Sequence, residues 1–126
     1  MLAGTLRGLM TLRMRLKGVE IRADSRELLV RGELKRLPWR SFDVLLLLAE
    51  NAGSVVEKER LLHGVWGGTV VDESNLTQAV AQIRKVLGEF APGRSYVETI
   101  PRIGYRIAPD AVQVPEHRPL GSRDVG

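Results

Sequence analysis

Apolar positions follow two rhythms along the chain, and each predicts a kind of element. The first has a period of two. Arg13-Met14-Arg15-Leu16-Lys17 alternates, and Val19-Glu20-Ile21-Arg22-Ala23 repeats the pattern. Leu28-Leu29-Val30-Arg31 follows the turn-like cluster Asp24-Ser25-Arg26, and Gly32-Glu33 leads into Leu34-Lys35-Arg36-Leu37. Successive strand side chains point to opposite faces, so short alternating runs with polar or glycine punctuation predict an antiparallel meander of four strands.

Pro38 opens the second rhythm. A proline is tolerated in the first turn of a helix, where its missing N–H would have no partner anyway. Phe42, Leu45, Leu46 and Ala49 recur at helical spacing, and Gly53 supplies a stop, which predicts a helix over 39–51. A second, shorter helix is expected over 57–66, with Leu61, Leu62 and Val65 as its apolar face and Gly64, Gly67 and Gly68 loosening its end. Asp72 suits the cap of a third, accepting from the backbone N–H of residue 74 or 75. That helix carries Leu76, Val80, Ile83 and Leu87, spaced four, three and four as in one buried stripe, and stops at Gly88. After a polar loop containing Pro92-Gly93, two β-prone runs, 96–100 and 105–107, flank Pro101-Arg102-Ile103-Gly104. This predicts a hairpin in which Gly104 is free to take a positive φ.

The order of elements predicts an α+β fold: a winged helix-turn-helix with an N-terminal antiparallel four-stranded sheet, three helices and a C-terminal β-hairpin wing. The second and third helices form the helix-turn-helix. Residues 13–108 are expected to fold, with 1–12 as a flexible N-terminal segment and 109–126, polar and without periodicity, as a flexible tail.

Composition narrows the chemistry. At 126 residues and 44% hydrophobic, the chain suits one domain with one core. Cysteine is absent, which excludes disulfides, thiolate nucleophiles and Cys-based zinc sites, and fits a reducing, cytoplasmic location. The longest apolar run, 44–49, falls far short of the roughly 18 residues of a membrane span. Arg7, Arg13 and Arg15 interrupt the apolar start as a signal peptide would not allow. There are two histidines, no HExxH, no phosphate-cradling glycine loop followed by lysine and no nucleophile elbow, so no enzyme, metal or cofactor is expected. Lys and Arg number 19 against 15 acids, a net charge of +4. That excess suits nucleic acid or an anionic lipid surface, and charge alone does not choose between them.

Five segments, in order over roughly residues 13–108, carry a family resemblance. Leu37-Pro38-Trp39-Arg40-Ser41-Phe42-Asp43-Val44-Leu45 resembles the start of the first helix in OmpR/PhoB-type effector domains. Asn51-Ala52-Gly53-Ser54-Val55-Val56 is similar to the turn that follows, and Leu61 with Val65-Trp66 to the second helix. Ile83-Arg84-Lys85-Val86-Leu87-Gly88 resembles the end of the family's recognition helix, and Thr99-Ile100-Pro101-Arg102-Ile103-Gly104-Tyr105-Arg106 its wing. The wing and the segment Val71-Asp72-Glu73-Ser74-Asn75-Leu76-Thr77 look closer to the CadC/ToxR-like branch, in which no receiver domain precedes the DNA-binding domain.

The resemblance implies sequence-specific binding of double-stranded DNA by a transcriptional regulator. The third helix, over about 73–87, would lie in the major groove, and the wing, over 96–107, on the minor groove or the phosphates. Burial of the apolar stripe leaves Ser74, Asn75, Thr77, Gln78, Ala81, Gln82 and Lys85 on other faces. Asn75, Gln78 and Gln82 lie three and four apart, and their amides can donate and accept at once, as adenine N6 and N7 require. Arg84 and Lys85 suit phosphates, and equally complement the dipole at the helix C-terminus. Arg102 at the bend and Arg106 on the return strand suit the minor groove or a phosphate, with Thr99 adding a hydrogen bond. The family more often has an arginine where this chain has Pro101, so the charge has moved by one residue. Trp66 and Tyr105 read as core residues and Trp39 as more open. The loop 63–71 is where the resemblance implies contact with RNA polymerase, and tandem sites imply weak self-association. Two alternatives stay open: a winged-helix protein-interaction module without specific DNA binding, and a membrane-surface binder using the basic start.

Overall fold

A computed structural model describes residues 13–67 and 71–113. The segment expected to be flexible at 1–12, and the tail beyond 113, lie outside the described residues. Four strands come first: β1 (Arg13–Leu16), β2 (Val19–Arg22), β3 (Glu27–Val30) and β4 (Glu33–Lys35). They pair antiparallel in chain order as one sheet. Register follows from alternation: Leu16 lies opposite Val19, and Val19 opposite Val30, so the apolar positions share one buried face. β4 stops two residues before the predicted end, because Pro38 lacks a ladder donor and caps the next helix.

Helix α1 (Trp39–Glu50) buries Phe42, Val44, Leu45, Leu48 and Ala49. A two-residue strand, β5 (Val56–Glu57), precedes α2 (Lys58–Trp66), which buries Leu61 and Val65. Helix α3 (Glu73–Leu87) buries Leu76, Ala79, Val80, Ile83 and Leu87. It starts at Asp72, whose backbone N–H donates to Asn75 Oδ1 at 3.2 Å. It ends against the first sheet, where Arg31 donates to the Leu87 carbonyl at 3.2 Å. Three helices and two sheets thus share one core, with Tyr96, Tyr105 and Ile107 buried in it and Trp66 packed against it.

The region expected as a polar loop after α3 is a small ribbon of β6 (Glu89–Ala91) and β7 (Arg94–Ser95). Its polar composition hid a two-stranded pairing too short for any periodicity to register. The wing then forms from β8 (Val97–Ile100) and β9 (Gly104–Ile107). It is not a free hairpin. β9 also pairs with β5, giving a three-stranded sheet in the order β5-β9-β8.

Gly104 corrects one expectation. It lies in β9 and does not take a positive φ; in the bend that conformation belongs to Arg102, at 69°. A Cβ on Gly104 would sit 2.0 Å from the Val56 carbonyl oxygen, so glycine is required there for close approach of β5. The folded unit also runs past the predicted boundary at 108. A 3-10 turn (Pro109–Ala111) buries Ala111, the Lys17 N–H donates to the Ala111 carbonyl at 2.8 Å, and Val112 bridges to Leu16. A polar segment can pack through its backbone and one small side chain, and hydropathy does not register that.

Candidate nucleic-acid interface

The outward face of α3 is set by its inward one. Leu76, Ala79, Val80, Ile83 and Leu87 point to the core, so Ser74, Gln78, Ala81 and Lys85 form the opposite stripe, and all four are exposed. The other residues expected to read bases stand beside that stripe and already have partners. Asn75 Oδ1 accepts the Asp72 N–H at the helix start. Gln82 Oε1 accepts from the Ser41 hydroxyl on α1, at 2.5 Å. Ser41 is buried, so its hydroxyl needs an acceptor and holds the Gln82 amide by its oxygen.

On the other flank, Arg84 is locked to the wing. Its Nε and Nη2 donate to the Val97 carbonyl at 3.1 and 3.0 Å, and Nη2 donates to Thr99 Oγ1 at 2.8 Å. One guanidinium therefore fixes the position of β8 relative to α3. Sequence reasoning placed Arg84 and Thr99 at the surface and did not join them, because they are fifteen residues apart in the chain. Arg106 is braced across the hairpin, donating to Glu98 Oε1 at 2.7 Å.

The wing bend is a turn of four residues. The Ile103 N–H donates to the Ile100 carbonyl at 3.0 Å, with Pro101 and Arg102 between them. Proline second and a positive φ third is the arrangement of a type II turn, in which glycine or asparagine is ordinary at the third place. Here that place holds Arg102, and its side chain is exposed. The bend is pinned from below by the Lys58 N–H, which donates to the Ile103 carbonyl at 3.0 Å. Lys58 Nζ in turn meets Glu73 Oε2 at 2.9 Å, joining the starts of α2 and α3, and this carboxylate raises the Lys58 pKa.

Among the described residues, Ser74, Gln78, Lys85 and Arg102 have no ion pair or side-chain hydrogen bond with a neighbour. Asn75, Gln82, Arg84, Thr99 and Arg106 are all engaged. Trp39 is 64% exposed, and the Arg26 guanidinium lies 3.6 Å over its ring. No group of His, Asp or Glu among the described residues is placed to hold a metal ion. No described helix is long and apolar enough to cross a membrane.

Comparison with known proteins gives this geometry a family. Residues 32–107 match the family described as "Transcriptional regulatory protein, C terminal". The transcriptional regulator HilA of Salmonella typhimurium is 38% identical over 97 residues, which is 71% of this chain and 17% of HilA. The cholera toxin transcriptional activator of Vibrio cholerae is 36% identical over 77 residues, 60% of this chain and 26% of that protein. The chain thus spans about a quarter or less of these relatives. Among solved structures, the Thermotoga maritima response regulator DrrB, an OmpR/PhoB homologue, superposes with a TM-score of 0.73 at 32% identity, covering 85% of this chain and 50% of DrrB. The DNA-binding domain of Escherichia coli CadC gives 0.66 at 25% identity, covering 82% of this chain and 92% of that one. The Klebsiella pneumoniae RstA DNA-binding domain, solved in complex with the RstA box, also gives 0.66, at 28% identity and 77% of this chain against 97% of that one. By its sequence match, its strand and helix order and its wing, the chain belongs to the OmpR/PhoB-type family of transcriptional regulatory protein C-terminal domains, with CadC and ToxR-like activators among its relatives.

Proposed function

We propose that this chain binds double-stranded DNA sequence-specifically as the reading head of a transcriptional regulator, with α3 in the major groove and the wing on the neighbouring minor groove or phosphates. One observation carries the reading. The polar stripe of α3 has no partners within the described fold, and it stands beside a bend that spends a left-handed conformation on an exposed arginine. Arg26 and Arg31 take the same conformation in turns of the first sheet, so what singles out Arg102 is its exposed, unpaired charge at the wing bend.

Each candidate then has a role. Gln78 and Ser74 meet base edges, and Lys85 meets a guanine or a phosphate. Gln82 offers its amide N–H groups, because Ser41 holds its oxygen, and so suits guanine O6 and N7 or thymine O4 better than a bidentate adenine. Arg84 and Thr99 keep the wing at a fixed distance from α3, and Asn75 holds the helix start. Arg102 contacts phosphate or enters the minor groove, and Arg106 supports it from the return strand. No catalytic step belongs to this reading, and the place of action is the bacterial cytoplasm. Contact of the loop 63–71 with RNA polymerase, and weak self-association on tandem sites, rest on the family resemblance; residues 68–70 of that loop lie outside the described residues.

The test is selection of sites from random duplexes, followed by titration of the best site by fluorescence anisotropy across salt concentrations. An enriched site that binds well above scrambled DNA, with a steep salt dependence, is expected. Weak, sequence-blind binding would replace this reading with that of a protein-interaction module.

A further inference from the structure

We infer that the corner between β4 and α1 is a second phosphate-binding wall, which grips the strand on the side of α3 away from the wing. A cleft of about 350 Å³ lies between this corner and α3, lined by Lys35, Arg36 and Pro38 on one side and by Gln82, Lys85 and Val86 on the other. Three cations share the cleft, and no carboxylate lines it. Among the described residues no acid lies within 4.0 Å of Arg36 or Lys85, and both are exposed. Lys35 pairs with Glu33 at 3.2 Å, an exposed pair that solvent screens and a phosphate can displace.

The geometry gives the cations a common target. A helix in the major groove, about 12 Å wide, has a line of phosphates along each rim. On one flank of α3, Arg84 carries the wing. On the other flank, Gln82 and Val86 face the corner. Seating α3 therefore brings the wing to one rim and Lys35 and Arg36 to the other, so the helix is held from both sides. The hydrogen bond from Ser41 to Gln82 ties α1 to α3 at the cleft and keeps the corner in place.

This inference rests on the groove reading of α3, and the experiment separates the two. The full chain and the double variant Lys35→Ala/Arg36→Ala are titrated on the selected duplex across salt concentrations. Each phosphate contact contributes about 0.9 to the log–log salt slope, so losing two should flatten it by about 1.8 and weaken binding by about 30-fold at 0.15 M salt. The order of preference among base sequences should stay the same. Neutral methylphosphonate linkages on the strand facing the corner should weaken the wild type and leave the double variant unaffected. Both side chains are exposed, so thermal unfolding should match the wild type. An unchanged slope, even with weaker binding, overturns the wall. A wild type that prefers no duplex over scrambled DNA overturns the groove reading, and the wall with it.

Discussion

Arg102 sits where an L-residue is held against its preference. The left-handed region costs such a residue about 1–2 kcal/mol, and glycine escapes that cost. Arg102→Gly should therefore leave stability unchanged, or raise it by up to ~1 kcal/mol, in chemical denaturation. The same variant should bind duplex DNA more weakly on every sequence, with a salt slope flatter by about one. Arg102→Ala should lose the same slope without the gain in stability. If both variants bind like the wild type, the arginine has no part in DNA binding. Ser41 teaches a related lesson at this scale. It looks like an ordinary helix residue in the sequence, yet it is buried and decides which end of the Gln82 amide faces outward.

At the scale of elements, the wing is part of a sheet, and β5 is what makes it one. Gly104 is the weak point, because any Cβ there meets the Val56 carbonyl. Gly104→Ala should cost about 3 kcal/mol or more by separating β5 from β9, and should broaden the amide signals of both strands in NMR spectra. A variant as stable as the wild type would mean that the β5–β9 pairing can shift without loss. Most elements were legible from the chain alone, because long stripes such as Leu76-Val80-Ile83-Leu87 and alternations such as Val19-Glu20-Ile21 repeat often enough to fix a period. β5, β6 and β7 were not legible, since strands of two or three residues are held by their partners rather than by any pattern of their own. The site followed the same division. Which helix turns a polar face outward could be read from the buried stripe. That Gln82, Arg84 and Thr99 already have partners depends on residues distant in the chain, and only the fold brings those together.

For the whole molecule, the described fold continues past 108 at least to Val112. Ending the chain at 108 removes the buried Ala111, its hydrogen bond with Lys17 and the bridge from Val112. This should cost about 2–3 kcal/mol, from lost burial and one unmet strand donor. A chain ending after Gln113 keeps all three contacts and is the reference for the comparison. Urea midpoints of the two truncations decide the matter, and equal midpoints would restore the boundary at 108.

The same clasp between Ala111 and β1 has a mechanical meaning. It sets the backbone at Leu16 and Lys17 beside that at Ala111 and Val112, about one strand spacing (roughly 4.8 Å) apart. A load applied between chain running on before residue 13 and after residue 113 thus enters through neighbouring points. It peels the clasp open one bond at a time, like a zip drawn from its tab, and does not stretch the body between helix and wing. The polar stripe of α3 and the wing bend lie outside that short path.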